Sequence, residues 1–356
     1  MGIFAPQTGR GLGNGPAVFF KEEVMAKSRN KFRYILLSFV VSVVLMAIKF
    51  AAYFLTNSNA VLTDALESIV NVMASGFAFY SVYLAAQPRD QNHPYGHGKI
   101  EFFSAGLEGA LILLAGFFIL AQSVQALISP QPLHDLGIGL LIVLLTTAVN
   151  YGVGWLLRRE GKRTDSLTLY ADGKHLILDA QSSLVLVLGI TVIYFTGWQV
   201  LDSLLSMGFA VYIVVNGLKL ARESVAGLMD EVHTDTLDKV VEVLRKHRLR
   251  HWIDVHNLRV QKYGADLHID CHLTLPNYWT LQEVHDAVHE FEDALRAAFS
   301  ADVEIFVHTD PCIPPCCPHC HVENCPIREA PFTKDIPWNS QNLSLNQKLF
   351  LEKVNE

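Results

Sequence analysis

Between Tyr34 and Arg222 the chain runs through six apolar stretches in succession, a pattern that soluble folds do not carry. They are Tyr34–Phe54, Ala60–Ala86, Phe102–Ile128, Leu136–Leu157, Leu167–Phe195 and Val200–Arg222. As helices rising about 1.5 Å per residue, each crosses the roughly 30 Å of hydrocarbon in a bilayer. Met1–Phe20 lacks the basic, apolar and small-residue order of a cleavable signal, so the first stretch is expected to remain a span. The expectation is an all-α membrane domain of six helices, multi-pass, in a plasma or inner membrane.

Charge sets the orientation. Asn57–Asn59, Ser129–Asp135 and Gly197–Gln199 contain no Lys or Arg, whereas the opposite ends are basic: Lys21, Lys27, Arg29, Lys31 and Arg33, then Arg89 and Lys99, then Arg158, Arg159, Lys162 and Arg163, then Lys219 and Arg222. The positive-inside rule places both termini in the cytoplasm, consistent with an even number of spans. The boundaries expected are a cytoplasmic N-terminal segment (1–30), a transmembrane domain (31–222), a cytoplasmic metal-binding domain (223–311), a Cys/His-rich extension (312–329) and a polar tail (330–356). A net charge of −7 without a basic run argues against nucleic acid as a partner. With neither a nucleophile–base pair nor a nucleotide-binding loop, the chain does not read as an enzyme.

Several apolar stretches carry ionisable residues: Lys49, Asp64, Glu67, Glu108, Asp172, His175, Asp179 and Asp202. A charge at mid-membrane costs about 2.5–3.5 kcal/mol on insertion scales, so such residues face a bundle interior or an ion path. Asp64, Glu67 and Asn71 in the second span are three and four residues apart, and Asp172, His175 and Asp179 in the fifth repeat that spacing. Each trio occupies one helical face. Facing each other, the stripes offer Glu67, Asn71, His175 and Asp179, three oxygen donors and one imidazole, a set suited to a divalent first-row ion. Interhelical hydrogen bonding is the competing use of such residues.

Between spans two and three, Asp90, His93 and His97 lie in a short Pro/Gly-framed loop and have metal-ligand character. Beyond residue 222 the pattern becomes that of a small α+β domain. An amphipathic helix Thr234–His247, with Thr234 as its expected N-cap, precedes strands Ile253–Tyr263 and Ala265–Leu275, a helix Thr280–Phe299 and a strand Val303–Val307. This αββαβ order carries His256, His268, His272, His285, His289, His308 and Asp310, a density pointing to one or more metal sites. Cys312, Cys316, Cys317, Cys320 and Cys325 follow, with His319 and His321 among them. In a reducing cytoplasm they read as thiolate ligands for a soft ion rather than as disulfides.

The chain resembles the cation diffusion facilitator family from about Lys31 to Pro311. The resemblance rests on Asp64-Ala65-Leu66-Glu67-Ser68, on Asn92-His93-Pro94-Tyr95-Gly96-His97-Gly98-Lys99-Ile100-Glu101, on Ala171-Asp172-Gly173-Lys174-His175 through Asp179, and on His308-Thr309-Asp310-Pro311. It implies a homodimer that exchanges cytoplasmic divalent cations for protons by alternating access, with a metallochaperone-like (ferredoxin-like) cytoplasmic domain. Carried over by position, Glu67, Asn71, His175 and Asp179 form the transport site and Asp90, His93 and His97 a loop site. His256, His272, His285, His308 and Asp310 match the cytoplasmic metal positions. Zinc carriers of the family usually have His or Asp at position 67 and Asp at position 71. The Glu and Asn found here leave iron, manganese and cobalt open beside zinc. A metal-responsive channel or membrane sensor, whose cytoplasmic domain reads metal level, is the alternative.

Overall fold

The computed structural model describes residues 16–56, 59–128, 137–196, 199–264, 266–299 and 303–351. Six long helices come first: α1 (Pro16–Thr56), α2 (Asn59–Ala85), α3 (Ile100–Ile128), α4 (Gly137–Thr164), α5 (Leu167–Thr196) and α6 (Gln199–Leu228). Among the described residues, Asn30–Ala51, Ser68–Ala85, Ile100–Ile128 and Ser203–Leu228 are long and apolar enough to cross a membrane. Many of their leucines, valines and phenylalanines are exposed, including Val44, Leu114, Phe117, Phe118 and Val211. That is the arrangement required when the outer solvent is lipid, because apolar burial then no longer favours the interior.

The helices pack chiefly in the pairs α1 with α2, α3 with α6 and α4 with α5. Small residues set the closeness of these pairs. A Cβ placed on Gly173 of α5 would fall 2.5 Å from the backbone nitrogen of Arg158 in α4. The two backbones therefore touch one half-turn before His175, which fixes the face that α5 turns inward. Ser42 and Ser75 link α1 to α2 with a 3.2 Å hydroxyl contact.

The C-terminal domain has the expected order: α7 (Thr234–His247), β1 (Asp254–Tyr263), β2 (Asp266–Leu275), α8 (Leu281–Arg296) and β3 (Val303–Pro311). The sheet is ordered β1-β2-β3, with β1 antiparallel and β3 parallel to β2. Leu267, Ile269, Cys271, Leu273 and Leu275 of β2 are all buried, as alternation requires. Burial pushes the Cys271 thiol up to about 12, so it serves as a neutral packing group. The sheet and helices close over Trp252, Leu244, Phe291 and Leu295, with the rings of Trp252 and Phe291 edge to face at 5.1 Å.

Two local expectations change. Thr234 is the first helical residue of α7 rather than its N-cap; that position belongs to His233, which makes no side-chain cap. The segment after residue 330, read as a polar tail, adds Trp338, Leu343 and Leu349 to the domain core, and a one-turn α9 (Ser340–Leu343) lies within it. The tail binds the sheet where β1 breaks register between His256 and Arg259. There Asn257, in a left-handed conformation (φ 51°), donates its backbone N–H to Leu345 O at 2.6 Å.

Candidate metal sites

The polar stripes of α2 and α5 meet inside the helical domain. Asn71 Nδ2 donates to Asp179 Oδ2 at 3.0 Å, and Asn71 Oδ1 lies 3.2 Å from His175 Nε2. His175 Nε2 is also 3.4 Å from Asp179 Oδ2. Three of the four side chains read as a transport site therefore converge on one point. The fourth, Glu67, together with Asp64 and Asp202, has a side chain outside the described residues. Asp172, one turn along α5, accepts from Ser38 Oγ at 2.6 Å and Ser75 Oγ at 3.3 Å. Those hydroxyls of α1 and α2 keep it off the convergence point.

Glu108 was visible in the sequence as an ionisable residue in a span but without a partner. It reaches from α3 to His175, with Oε2 3.2 Å from Nδ1, and is almost fully buried. The imidazole thus has a carboxylate at each nitrogen. Lys49 is buried in α1.

The loop between α2 and α3 forms a second cluster. Asp90, His93 and His97 offer ligand atoms that all lie within 4.8 Å of one another. Asp90 Oδ1 accepts the backbone N–H groups of Asn92 (2.9 Å) and His93 (2.7 Å), and the bond from His93 is the chief cause holding this carboxyl below its ordinary range. An ionised oxygen is therefore kept beside the two imidazoles, whose centroids are 4.4 Å apart.

This loop is docked on the C-terminal domain. Arg89 Nη1 bonds Glu304 Oε2 at 2.7 Å, and the same oxygen is 3.1 Å from His268 Nδ1. Tyr95 stacks on Tyr263 at 5.8 Å, Lys99 sits over that ring at 4.7 Å, and Lys99 Nζ also bonds Asp230 Oδ2 at 2.9 Å. Gly98 permits the approach, since a Cβ there would lie 2.2 Å from the Tyr263 carbonyl oxygen.

A third cluster joins His256, His272 and Asp310 across the three strands, again with ligand atoms within 4.8 Å. The register explains it: His256 pairs with His272, and His272 with His308. Asp310 Oδ2 is 3.3 Å from His256 Nε2 and 3.2 Å from His272 Nδ1, while buried Asp254 stands 3.0 Å from His256 Nδ1. His308 is at the exposed rim, 3.7 Å from Asp310 Oδ1. His285 lies apart on α8, its Nε2 3.1 Å from that of His289.

Cys312, Cys316, Cys317, Cys320 and Cys325 line one cavity of about 270 Å³ at the end of the sheet. All are free thiols, and no three of their sulfurs lie within 4.8 Å of one another among the described residues. His319 and His321 are engaged elsewhere, by the Lys334 carbonyl at 2.7 Å and by Asp335 at 3.0 Å.

Residues 35–229 match the family model described as the cation efflux transmembrane domain, and residues 232–312 match that of the cation efflux protein cytoplasmic domain. The chain is 35% identical over 279 residues to an uncharacterised transporter of Synechocystis sp., covering 78% of this chain and 89% of that protein. It is 27% identical over 272 residues to the cation-efflux pump FieF of Escherichia fergusonii and of Escherichia coli, covering 75% of this chain and 88% of the pump.

Proposed function

The chain belongs to the cation efflux (cation diffusion facilitator) family, and from that premise we propose that it exports a divalent transition-metal ion from the cytoplasm in exchange for protons. The cargo binds between α2 and α5 to Glu67, Asn71, His175 and Asp179. The observation that carries this reading is the convergence of Asn71, His175 and Asp179 within hydrogen-bonding distance inside an apolar helical domain.

The chemistry follows from donor type. His175 Nε2 holds either a proton or a metal ion, and Asp179 faces the same competition, so binding the cargo expels protons. Glu108 stands 3.2 Å from the other ring nitrogen, a carboxylate on the far side of the ring from the site. Three oxygens and one imidazole take zinc, iron, manganese or cobalt. With a neutral amide at position 71, the site carries one formal charge fewer than an aspartate there would provide. This weakens the advantage of the ion that binds most strongly and broadens selectivity beyond zinc.

In this reading the chain crosses the membrane six times, its basic loops keep both termini in the cytoplasm, and the C-terminal domain joins two copies into a homodimer. The cluster His256, His272 and Asp310 gives a second reading its support: a metal-gated channel or sensor whose cytoplasmic domain reads metal level. Reconstituted vesicles with a pH dye inside decide between them. Uptake across a panel of divalent ions that saturates and moves protons supports the exporter. Metal flux without proton movement, or no flux, overturns it.

A further inference from the structure

The Cys-rich extension begins where the cytoplasmic-domain match ends, at residue 312, and nothing in the transport chemistry uses it. Buried free cysteines are most often small packing groups, and Cys312, Cys316 and Cys320 do share a cluster with Ile253. This cluster borders a partly open cavity of about 270 Å³. Five cysteines line it, and four of them are buried.

The backbone around the cavity is tied by a short turn and by side-chain hydrogen bonds. Pro314–His319 form a 3-10 turn that returns Cys316 and Cys317 toward Cys312, with Cys316 N–H donated to Ile313 O at 2.9 Å. Arg328, itself at the cavity wall, donates to the carbonyls of Cys317 (3.0 Å), Cys320 (3.1 Å) and Ala330 (3.3 Å). One guanidinium therefore ties the loop together and brings a positive charge to a place where thiolates would form. Asn277 donates its backbone N–H to Cys312 Sγ at 3.4 Å.

We propose that this cavity holds a thiolate-ligated metal centre, separate from the transported ion, with ligands drawn from Cys312, Cys316, Cys317, Cys320 and Cys325. A single tetrahedral ion at a Zn–S distance of about 2.3 Å would hold its sulfurs roughly 3.8 Å apart. The sulfurs here are more widely spread, which leaves room for a metal–sulfide cluster as well as for one ion drawn in by side-chain rotation. Thiolate ligation of a soft metal is common to both. The position gives the centre a structural consequence. Cys312 N–H bonds Leu275 O at 2.9 Å and extends the β2–β3 pairing. Its neighbour two residues back, Asp310, is the shared carboxylate of the His256 and His272 cluster. A centre on Cys312 would pin that strand end and hold Asp310 in place.

The test uses the full chain, purified in detergent under reducing, oxygen-free conditions and desalted. Zinc, iron, copper and acid-labile sulfide are measured per chain, together with the visible spectrum before and after cobalt exchange. Zinc replaceable by cobalt, with an intense sulfur-to-cobalt band, supports the proposal as a single ion. Iron with matching sulfide supports it as a cluster. Wild-type protein with neither retained metal nor a cobalt–thiolate band on addition of cobalt overturns it, and this readout needs no variant to fold. The Cys312→Ser, Cys316→Ser, Cys320→Ser triple variant locates the site: about one metal centre per chain should be lost. Retention of the same metal by a folded triple variant assigns it to the histidine clusters and overturns the proposal.

Discussion

Nδ1 of His175 lies 3.2 Å from Oε2 of Glu108, and both oxygens of that buried carboxylate lack a hydrogen bond among the described residues. The pair joins α3 to the face of α5 that carries the transport ligands. Histidines that bind metal commonly turn their second nitrogen to such a carboxylate, and loss of it costs about 10–100-fold in metal affinity. Glu108→Gln keeps the size and removes the charge. It should raise the metal concentration for half-maximal uptake by about that factor while the protein remains folded. An unchanged concentration dependence would show that Glu108 only fills space.

Asp179 receives Asn71 Nδ2 and faces His175, so its removal leaves Glu67 as the one anionic group of the proposed site, beside two neutral ones. Asp179→Ala should abolish flux without unfolding the helical domain, and normal flux would remove the central assignment. Asn71→Asp tests selectivity. An added anionic oxygen should strengthen zinc binding relative to manganese in competitive uptake, whereas equal effects on both would mean position 71 is not a ligand.

The two stripes were legible because three- and four-residue spacing maps onto a helix face whatever the tertiary structure. Glu108 was seen but not placed, since its partner depends on α3 packing beside α5, and no periodicity along either helix encodes that. The strand cluster divides in the same way. Alternation placed His272 opposite the core, and the family resemblance named His256, His285, His308 and Asp310 beside it; the register across three strands brings His256 and Asp310 to His272, while His285 stays apart on α8.

The loop site is rigidly mounted on the C-terminal domain at Gly98. Gly98→Ala would force a methyl group to within 2.2 Å of the Tyr263 carbonyl oxygen. That contact is backbone, so the loop must withdraw, disrupting the Tyr95–Tyr263 stack and the Lys99–Asp230 pair. A cost of about 1–3 kcal/mol, typical of overpacking, is expected. Hydrogen exchange should report faster exchange in Tyr95–Glu101 and β1 but not in α8. Uniform protection would show that the docking tolerates displacement.

Helix α8 opens with a capping box: Thr280 Oγ1 accepts from Glu283 N–H, and Glu283 Oε2 accepts from Thr280 N–H at 2.7 Å. That backbone bond is the main cause holding the Glu283 carboxyl below its ordinary value. A depressed folded-state pKa means the stabilisation is present above the ordinary carboxylate range and is lost as pH falls through the lowered value. Thr280→Ala should destabilise the helix start by about 1 kcal/mol. Glu283→Gln should flatten the acid limb of α8 protection measured by hydrogen exchange, and an acid limb identical to wild type would show the cap to be inactive.

The segment after Ala330 looked polar because its apolar residues are few and follow no period, but each one that packs does so deeply. Trp338 is 4% exposed and Leu343 is fully buried, both in the core closed by Trp252 and Phe291. Arg248 lies 4.3 Å over the Trp338 ring and bonds Asp335 at 3.1 Å. Burial would raise the Asp335 carboxyl, but His321 and Arg248 outweigh it and hold it below the ordinary range. The segment therefore latches the Cys-rich extension onto the C-terminal domain from both sides. Removing one large buried ring costs about 3–5 kcal/mol, so Trp338→Ala should expose the sheet and lower the unfolding midpoint of the domain. Arg248→Ala, which leaves the ring in place, should cost less and act mainly above the ordinary carboxylate range, where Asp335 is charged. Limited proteolysis of the full chain reads both: rapid cleavage between Cys325 and Leu349 is expected in Trp338→Ala. Resistance equal to that of the wild type would mean the segment packs on the core without holding it together.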